Sequence, residues 1–501
     1  MKKSTVLAGL CAAFCLTMGT GTAHATNSRP AATTISTPDS VDRFLAAKMQ
    51  QLRIPGLQLA VIHHGKIVKL QSYGLANVQD SVPVTSRTVF PLNSITKAFT
   101  GVAVLQLVEA GKLKLTDPIG QYLPGLPAAW HPVTIRQLLA HSSGIPNILP
   151  DDEQVSENEQ QKAWAAIQAQ PMDFKPGEKF SYNQTNYLLL GKLIDQLSGQ
   201  PFTQVIEQKQ LWAVGMPHSK FGDAHSVTAH AARGYSFLHA VDGELRRGKE
   251  LRNVFEVFAP LLYTAAGLNS TAADMAQWVL ALQQGKLLRP ASLSTLWTPV
   301  LLNNGQTAGF SRQLNGYAAG WPTVGRAEHR AVAAVGGGRS AVFVYPEDDL
   351  AVVVLTNLLG ANPDRFVDEI ASFYVRDMRL AAGFGLPPQL RTLHNELRQR
   401  GFENALPLVR QQQKQNAAYK LPEDAVNAWG YSLLRQQQAQ QALEIFKLNV
   451  SLYPTSANAY DSLAETYQEM GNKVLAVKNY RQVLKLDPSS RNAAEQLKKL
   501  Q

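Results

Sequence analysis

The sequence predicts an α+β protein: an antiparallel sheet flanked by helices, with a mainly helical subdomain, followed by an all-α helical-repeat domain. Strand patterns occur near the amino terminus and again after residue 330, with helical patterns between them. A Gly/Pro-rich segment, residues 383–388, precedes a stretch rich in Gln, Ala, Leu and Lys with helical spacing. Within that stretch, apolar positions recur every 34 residues. We therefore expect two domains, over residues 38–381 and 388–501.

The first 25 residues have the features of a cleaved signal peptide. Lys2 and Lys3 precede an apolar run, residues 6–18, that is too short to span a bilayer, and residues 23–25 (AHA) resemble a cleavage site. We expect a bacterial periplasmic or secreted protein without a stable membrane anchor. Both cysteines of the chain lie inside this segment, so we expect no disulfides and no thiolate chemistry in the mature protein.

Composition excludes several classes of function. The formal net charge is +10, but it is spread along the chain without a basic, aromatic-interleaved stretch, so we expect no nucleic-acid partner. The histidines form no H-E-x-x-H pattern and are expected to pack or lie at the surface. There is also no P-loop, no dinucleotide fingerprint and no G-x-S-x-G. The sequence therefore predicts neither a metal nor a cofactor.

The amino-terminal part contains a hairpin and then a candidate nucleophile. Residues 57–63 and 66–73 predict two antiparallel strands joined by a tight turn. Ser94 and Lys97 form the only S-x-x-K of the chain, at the start of an apolar segment, residues 95–109, that predicts a buried helix. Side chains three residues apart lie on one face of a helix. A serine hydroxyl needs such a neighbouring base, and burial lowers the pKa of a lysine toward that role.

A second candidate group follows a predicted polar, acidic surface insertion, residues 146–174. A Pro-Gly turn leads to Tyr182 and then to a helix from about Thr185. A tyrosine before a helix is usually structural. Beside a serine–lysine pair it can instead move a proton, provided that neighbouring cations lower its pKa.

Three short segments rich in β-branched residues predict strands late in the chain: residues 331–335, 340–345 and 350–356. Together with the amino-terminal hairpin they would form one antiparallel sheet. Three glycines, residues 336–338, join the first two of these strands. Glycine allows a ligand to approach the backbone closely, and backbone N–H groups there can bind an oxyanion.

Tetratricopeptide repeats are indicated after residue 388. The following positions match in character the positions 34 residues further on: Val426, Trp429, Gly430, Leu433, Ala442, Phe446 and Pro454. Each pair of helices would bury its apolar face against the next pair. Residues 393–415 would supply a degenerate first pair and residues 492–500 a capping helix. A protein partner of this region is therefore a candidate.

These motifs together resemble the serine β-lactamase and penicillin-binding-protein superfamily, in its class C-like branch. The resemblance covers about residues 38–381 and includes four ordered blocks besides S-x-x-K: TIRQLLAHSSGIP (134–146), FKPGEKFSYNQTNYLLLG (174–191), AAGLNSTAADMAQW (265–278) and YPEDDLAVVVLTN (345–357). The branch includes β-lactamases, D-alanyl-D-alanine carboxypeptidases, D-aminopeptidases and esterases. It implies a β-lactamase/transpeptidase-like fold.

The resemblance implies a catalytic set. Ser94 would be the acylated nucleophile and Lys97 its base. Tyr182 would protonate the leaving group and activate the deacylating water. Which of Lys97 and Tyr182 takes the first proton stays open, because the acylation base is disputed even in relatives. The backbone N–H groups of Ser94 and Gly338 would form the oxyanion hole.

The substrate-binding residues that the resemblance implies are Gln184, Asn183, Gly337 and Arg339. The chain departs from the family in two places here. Gln184 occupies the asparagine position of the Y-x-N motif, and Asn183 is an alternative to it. Val335 occupies the cation position of the third motif. Arg339 is the nearest replacement for binding a substrate carboxylate, and His329 is a weaker one.

We therefore expect an exported serine hydrolase that forms an acyl-enzyme on Ser94 and cleaves an amide or ester bond in a small-molecule or peptide substrate. The activity would be that of an esterase, a D-amino-acid peptidase or a weak β-lactamase, because the third-motif cation is missing. The alternative is a catalytically altered, penicillin-binding-like sensing or binding module, with the helical repeats as an adaptor for a protein partner.

Overall fold

The computed structural model describes residues 39–148, 157–241, 244–311, 313–326, 328–375, 378, 386–435 and 438–500. The predicted signal peptide, part of the predicted insertion and residues 383–385 of the predicted linker lie outside these ranges. Within them, no helix combines the length and the apolar character needed to cross a bilayer.

The helices and strands follow the predicted order at both ends of the first domain, but the middle section, which the sequence predicts to be helical, also contains strands, among them a hairpin over residues 234–241 and 244–254. The helices are α1 Ser40–Leu52, α2 Thr96–Glu109, α3 Ile135–Leu139, α4 Glu157–Gln168, α5 Gln184–Ser198, α6 Phe202–Ile206, α7 Tyr263–Ala266, α8 Ala272–Gln283, α9 Pro290–Trp297, α10 Val367–Ala371, α11 Pro388–Arg400, α12 Ala405–Gln415, α13 Glu423–Arg435, α14 Ala439–Leu452, α15 Ala457–Glu469, α16 Lys473–Leu486 and α17 Arg491–Leu500. The strands are β1 Gly56–His63, β2 Lys66–Asn77, β3 Val82–Pro83, β4 Phe90–Pro91, β5 Lys220–Phe221, β6 Gly234–Val241, β7 Glu244–Val254, β8 Leu268–Ser270, β9 Gly316–Tyr317, β10 Pro322–Val324, β11 Ala331–Gly336, β12 Ser340–Tyr345, β13 Leu350–Thr356 and β14 Leu358–Leu359.

One large sheet joins the two ends of the first domain. Among the described residues it has eight antiparallel strands in the order β3-β2-β1-β13-β12-β11-β10-β9. Strand β1 pairs with β2 in the predicted hairpin and with β13 on its other side, where Leu57 lies opposite Thr356. The predicted sheet of amino- and carboxyl-terminal pieces is therefore confirmed.

The central strands are buried on both faces. In β13, Val353 packs into a core with α2 and α8, whereas its neighbour Val352 packs into a second core with α1 and α10. Successive side chains of a strand point to opposite faces, so a strand covered on both sides is a continuous apolar run. The run AVVVL at residues 351–355 has this composition.

Helix α2 lies inside the domain. It is buried over most of its length and packs against α5, α7 and α9. A small sheet, in the order β4-β8-β5, holds the chain immediately before it. The start of α2 is thus fixed at the junction of the large sheet and the helical subdomain.

The region after residue 386 is all-helical in its described part. The bounds of α13 and α15 differ by 34 residues at both ends, and so do those of α14 and α16. Trp429 and Phe446 lie in a core formed by the helices of this region. An α+β domain followed by an all-helical region is the fold class that the sequence predicts.

Candidate active site

Ser94 lies in a 3₁₀ turn, Asn93–Ile95, directly before α2. The backbone N–H of Leu92 donates to the carbonyl of Leu268 in β8 (2.9 Å). On the other side of the turn, Thr96 Oγ1 accepts the N–H of Leu268 (3.1 Å). The turn that carries the serine is therefore held to β8 from both directions.

Lys97 is completely buried in the first turn of α2. Its Nζ lies 3.4 Å from Ser94 Oγ and donates to the carbonyl of Ala265 (3.0 Å). The ring centroids of Tyr182 and Tyr187 lie 4.7 and 5.3 Å from Nζ. Such rings attract an ammonium by about 0.5–2 kcal/mol, but burying an unpaired charge costs far more. Burial accordingly lowers the pKa of Lys97 well below its usual range, which favours the neutral amine.

Tyr182 also hydrogen-bonds Ser94, and that bond lowers the pKa of its hydroxyl. Burial acts in the opposite direction and is larger, so the pKa of Tyr182 lies above its usual value. A charged Lys97 beside the ring would lower this pKa, but burial lowers the pKa of Lys97 itself and so disfavours its charged form. Tyr182 therefore keeps its proton and is suited to donate it.

The predicted glycine segment forms a tight turn between β11 and β12. The carbonyl of Gly336 accepts the N–H of Arg339 (3.0 Å), and the two residues between them, Gly337 and Gly338, have φ values of +55° and +59°. Positive φ at both central positions is the requirement of a type I′ turn. A Cβ atom at Gly336 would lie 3.2 Å from Ser94 N. The backbone that approaches these glycines is therefore that of the serine turn.

Gly336→Ala is expected to reduce kcat by about 10²–10³, the effect of misplacing an oxyanion donor. The added Cβ would lie 1.9 Å from the carbonyl oxygen of Leu92, a backbone atom that cannot rotate away. Either β11 or the serine turn must then shift. Steady-state kinetics checks this, with Gly125→Ala as the control because a Cβ there meets nothing within 4 Å. Unchanged kcat in Gly336→Ala would contradict the close contact.

The two amides after Tyr182 have different surroundings. Asn183 is 2% exposed and caps α5: its Oδ1 accepts the N–H of Asn186 (3.2 Å), and its Nδ2 donates to the carbonyl of Ile145 (2.5 Å). Both ends of this amide are used inside the protein, so it is not placed to bind substrate. Gln184 begins α5, and its Oε1 has no hydrogen-bond partner among the described residues. Gln184 is thus the amide that remains available.

Arg339 is not placed as the resemblance suggests. Its side chain is 1% exposed, and Nη2 donates to Glu256 Oε1 (3.0 Å). Glu256 Oε2 in turn accepts from Asn93 Nδ2 (2.9 Å). The guanidinium is therefore held in an internal ion pair and is not placed to bind a substrate carboxylate in a bidentate manner. His329 pairs with Asp348 (2.9 Å) at the opposite end of β11 from the glycine turn, so it is no replacement.

Sequence reasoning missed two side chains that surround Tyr182. His141 is fully buried, accepts the N–H of Asn183 at Nδ1 (3.1 Å), and its ring centroid lies 4.4 Å from that of Tyr182. Burial lowers the pKa of His141, so this ring is a neutral support. Phe310 is 43% exposed and its ring lies 4.9 Å from Tyr182. His141 belongs to one of the four blocks quoted above, whereas nothing around Phe310 signals its position.

Glu256 was also missed, because it lies 163 residues from Asn93 along the chain. No metal-binding pattern was predicted, and the described residues contain no group of three or more His, Cys, Asp or Glu side chains that could hold a metal ion. The site consists of a hydroxyl, a buried amine, a phenol and a backbone turn. Such a set performs proton transfer and oxyanion stabilisation.

Known proteins are similar to this chain over the same region. The β-lactamase family model matches residues 41–376. Protein flp of Staphylococcus aureus strain N315 is 27% identical over 347 residues, which cover 68% of this chain and 67% of that protein. The teichoic acid D-alanine hydrolase of S. aureus strain MRSA252 is 28% identical over 329 residues, which cover 65% of this chain and 75% of that protein.

Solved structures have the same fold. A penicillin-binding protein from Bacillus halodurans matches with a TM-score of 0.53 at 26% identity, over 66% of this chain and 99% of that one. The D-amino acid amidase from Ochrobactrum anthropi SV3, complexed with L-phenylalanine, matches with a TM-score of 0.57 at 21% identity, over 67% of this chain and 98% of that one. The family match spans most of the α+β domain and contains Ser94, Lys97 and Tyr182. This chain is a serine hydrolase that belongs to the β-lactamase family.

Proposed function

We propose that the protein is an exported hydrolase that cleaves an ester or amide bond through an acyl-enzyme on Ser94. One observation carries the proposal. Ser94 Oγ lies 3.4 Å from the amine of a fully buried Lys97 and is also hydrogen-bonded by Tyr182. A serine placed between a neutral amine and a protonated phenol has a base for its own proton and an acid for the leaving group.

Acylation starts with attack of Ser94 Oγ on the carbonyl carbon of the substrate, while the proton of Ser94 moves to Lys97 Nζ. The carbonyl of Ala265 occupies an N–H of Lys97 and so leaves the nitrogen lone pair for this proton. The substrate oxygen becomes an alkoxide, which the N–H groups of Ser94 and Gly338 would stabilise. The loss of one such donor typically costs about 10²–10³ in rate.

The tetrahedral intermediate then expels the leaving group, which takes the proton of Tyr182. Lys97, now an ammonium, returns a proton to Tyr182, so that the net transfer is from Ser94 to the leaving group. In deacylation a water attacks the ester, its proton passes through Tyr182 to Lys97, and Ser94 regains a proton as it leaves. Both side chains end in their starting protonation states.

The substrate class is proposed from the surroundings of the serine and from one relative. Val335 stands at the usual cation position of the third motif, and Arg339 is buried. A β-lactam carboxylate would therefore lack its common partner. The S. aureus relative at 28% identity is a teichoic acid D-alanine hydrolase. We infer that esters, amides or peptides of D-amino acids are better substrates than β-lactams.

Mass spectrometry of the intact mature protein tests this function. The protein is exposed to a mixed panel of β-lactams, p-nitrophenyl esters and D-amino-acid peptides. We expect a trapped adduct on Ser94 whose mass identifies the acyl group. A protein that forms no adduct and hydrolyses no member of the panel contradicts the proposal.

A second function, protein binding by the helical region, is favoured by one observation. Its helix bounds repeat at an offset of 34 residues, the spacing of tetratricopeptide repeats. We propose that this region recruits a protein partner while the α+β domain hydrolyses substrate. The full chain and a chain ending at residue 375 are compared for turnover and for retention of proteins from the same culture. Equal retention by both chains rejects the adaptor role.

A further inference from the structure

The Glu256 carboxylate joins the two sides of the proposed oxyanion hole. One oxygen accepts from Asn93, the residue before Ser94, at 2.9 Å. The other accepts from Arg339, the residue after Gly338, at 3.0 Å. Each oxygen of Glu256 is therefore bonded to the side chain of a residue that is adjacent in sequence to a proposed N–H donor.

Of this ion pair, only the acid reaches solvent. The Glu256 side chain is 25% exposed, whereas the Arg339 side chain is 1% exposed. A carboxylate has about four acceptor positions, and the two hydrogen bonds above use two of them. The remaining capacity can accept donors from a bound molecule, and the negative end of the pair is the end that such a molecule meets.

We propose that Glu256 selects acyl groups that carry a cation, specifically the free α-ammonium of a D-aminoacyl ester or amide, and disfavours acyl groups that carry a carboxylate. The inference rests on the proposed acyl-enzyme at Ser94 and specifies the charge of its substrate. The α-nitrogen of an aminoacyl group is two bonds from the carbonyl carbon. We place this nitrogen beside Glu256, because the acid is bonded to the side chains of the two residues that neighbour the proposed donors. An ammonium offers three donors to this carboxylate.

The test compares D-alanine p-nitroanilide with its N-acetyl and N-succinyl derivatives. We expect the wild-type kcat/KM to be highest for the free amine and lowest for the succinyl compound. The preference for the free amine should fall as the pH rises above about 8, where an α-amino group loses its proton. A wild-type protein that prefers either acylated compound overturns the inference.

Glu256→Gln keeps an acceptor for Asn93 but removes the charge. We expect the free-amine to N-acetyl ratio of kcat/KM to fall about ten- to hundredfold, as for the loss of a hydrogen bond to a charged group. Glu250→Gln is the control, because its side chain is 85% exposed on β7. If kcat/KM falls equally for both substrates, or falls for neither, Glu256 has only a structural role and the inference is overturned.

Folding and the proposed function are checked separately. If Glu256→Gln does not fold, Glu256→Asp keeps the charge on a shorter side chain and should lower the same ratio by a smaller factor; an unchanged ratio again overturns the inference. Absence of an acyl adduct on wild-type Ser94 rejects the proposed function itself. An adduct on Ser94 with equal kcat/KM for the free and acetylated amines rejects only the role of Glu256.

Discussion

Ser94→Ala is expected to abolish covalent labelling by a fluorophosphonate and to reduce turnover by about 10⁵ or more, the range seen when a nucleophilic serine is removed. The adjacent hydroxyl of Tyr182 is a poor replacement nucleophile, because burial raises its pKa. Labelling followed by intact-mass measurement and p-nitrophenyl ester hydrolysis check this result.

The fold of this variant should be unchanged. The serine turn is held by one backbone hydrogen bond from Leu92 to Leu268 and by the side chain of Thr96, which accepts the N–H of Leu268, and neither contact uses Ser94 Oγ. Ser292→Ala in α9 is a suitable control for serine removal elsewhere. Full labelling of the Ser94 variant, at another residue, would place the nucleophile outside this site.

Lys97→Met is expected to lower kcat/KM by about 10³, within the usual range for loss of a general base. Methionine fills a similar volume in the buried position and removes the proton acceptor 3.4 Å from Ser94 Oγ. Ser94 remains present, so slow labelling by a fluorophosphonate should persist. Steady-state kinetics with a p-nitrophenyl ester measures the loss, and Lys114→Met, at an exposed position, controls for charge removal.

The pH dependence of kcat/KM tests the same role of Lys97. The active form needs an unprotonated Lys97, and burial lowers its pKa well below the usual range. The kcat/KM of the wild type should therefore fall as the pH drops through this lowered pKa and should be level above it. Lys97→Met should lose this acid limb. If the kcat/KM of Lys97→Met also falls at acid pH with the midpoint of the wild type, the titrating group is a residue other than Lys97.

Much of the first domain follows from local sequence patterns. The bounds of the β1–β2 hairpin lie within four residues of the predicted ones, and those of the three late strands within one residue. The three-residue spacing of Ser94 and Lys97 predicts their proximity, because helix geometry alone brings such side chains together. The 34-residue period likewise predicts the offset between the helix pairs of the second region.

The roles of side chains that contact distant segments were harder to predict from the sequence. Asn183 and Gln184 are adjacent amides, and only the packing of residues 141–145 against α5 makes one a buried cap and leaves the other available. Arg339 has a guanidinium suited to a carboxylate, but Glu256 occupies it.

The sequence by itself determined the main strands at both ends of the first domain, the offset between the helix pairs and the serine–lysine pair, because each depends on periodicity or on neighbours within one helical turn. Only the tertiary structure decided that Tyr182 hydrogen-bonds Ser94, that the glycine turn contacts the serine backbone, and that Arg339 forms an ion pair with Glu256. The physical reason is that burial and charge pairing arise between segments that are distant along the chain, such as Asn93 and Glu256, which are 163 residues apart. Spacing along the chain does not encode which of these segments meet.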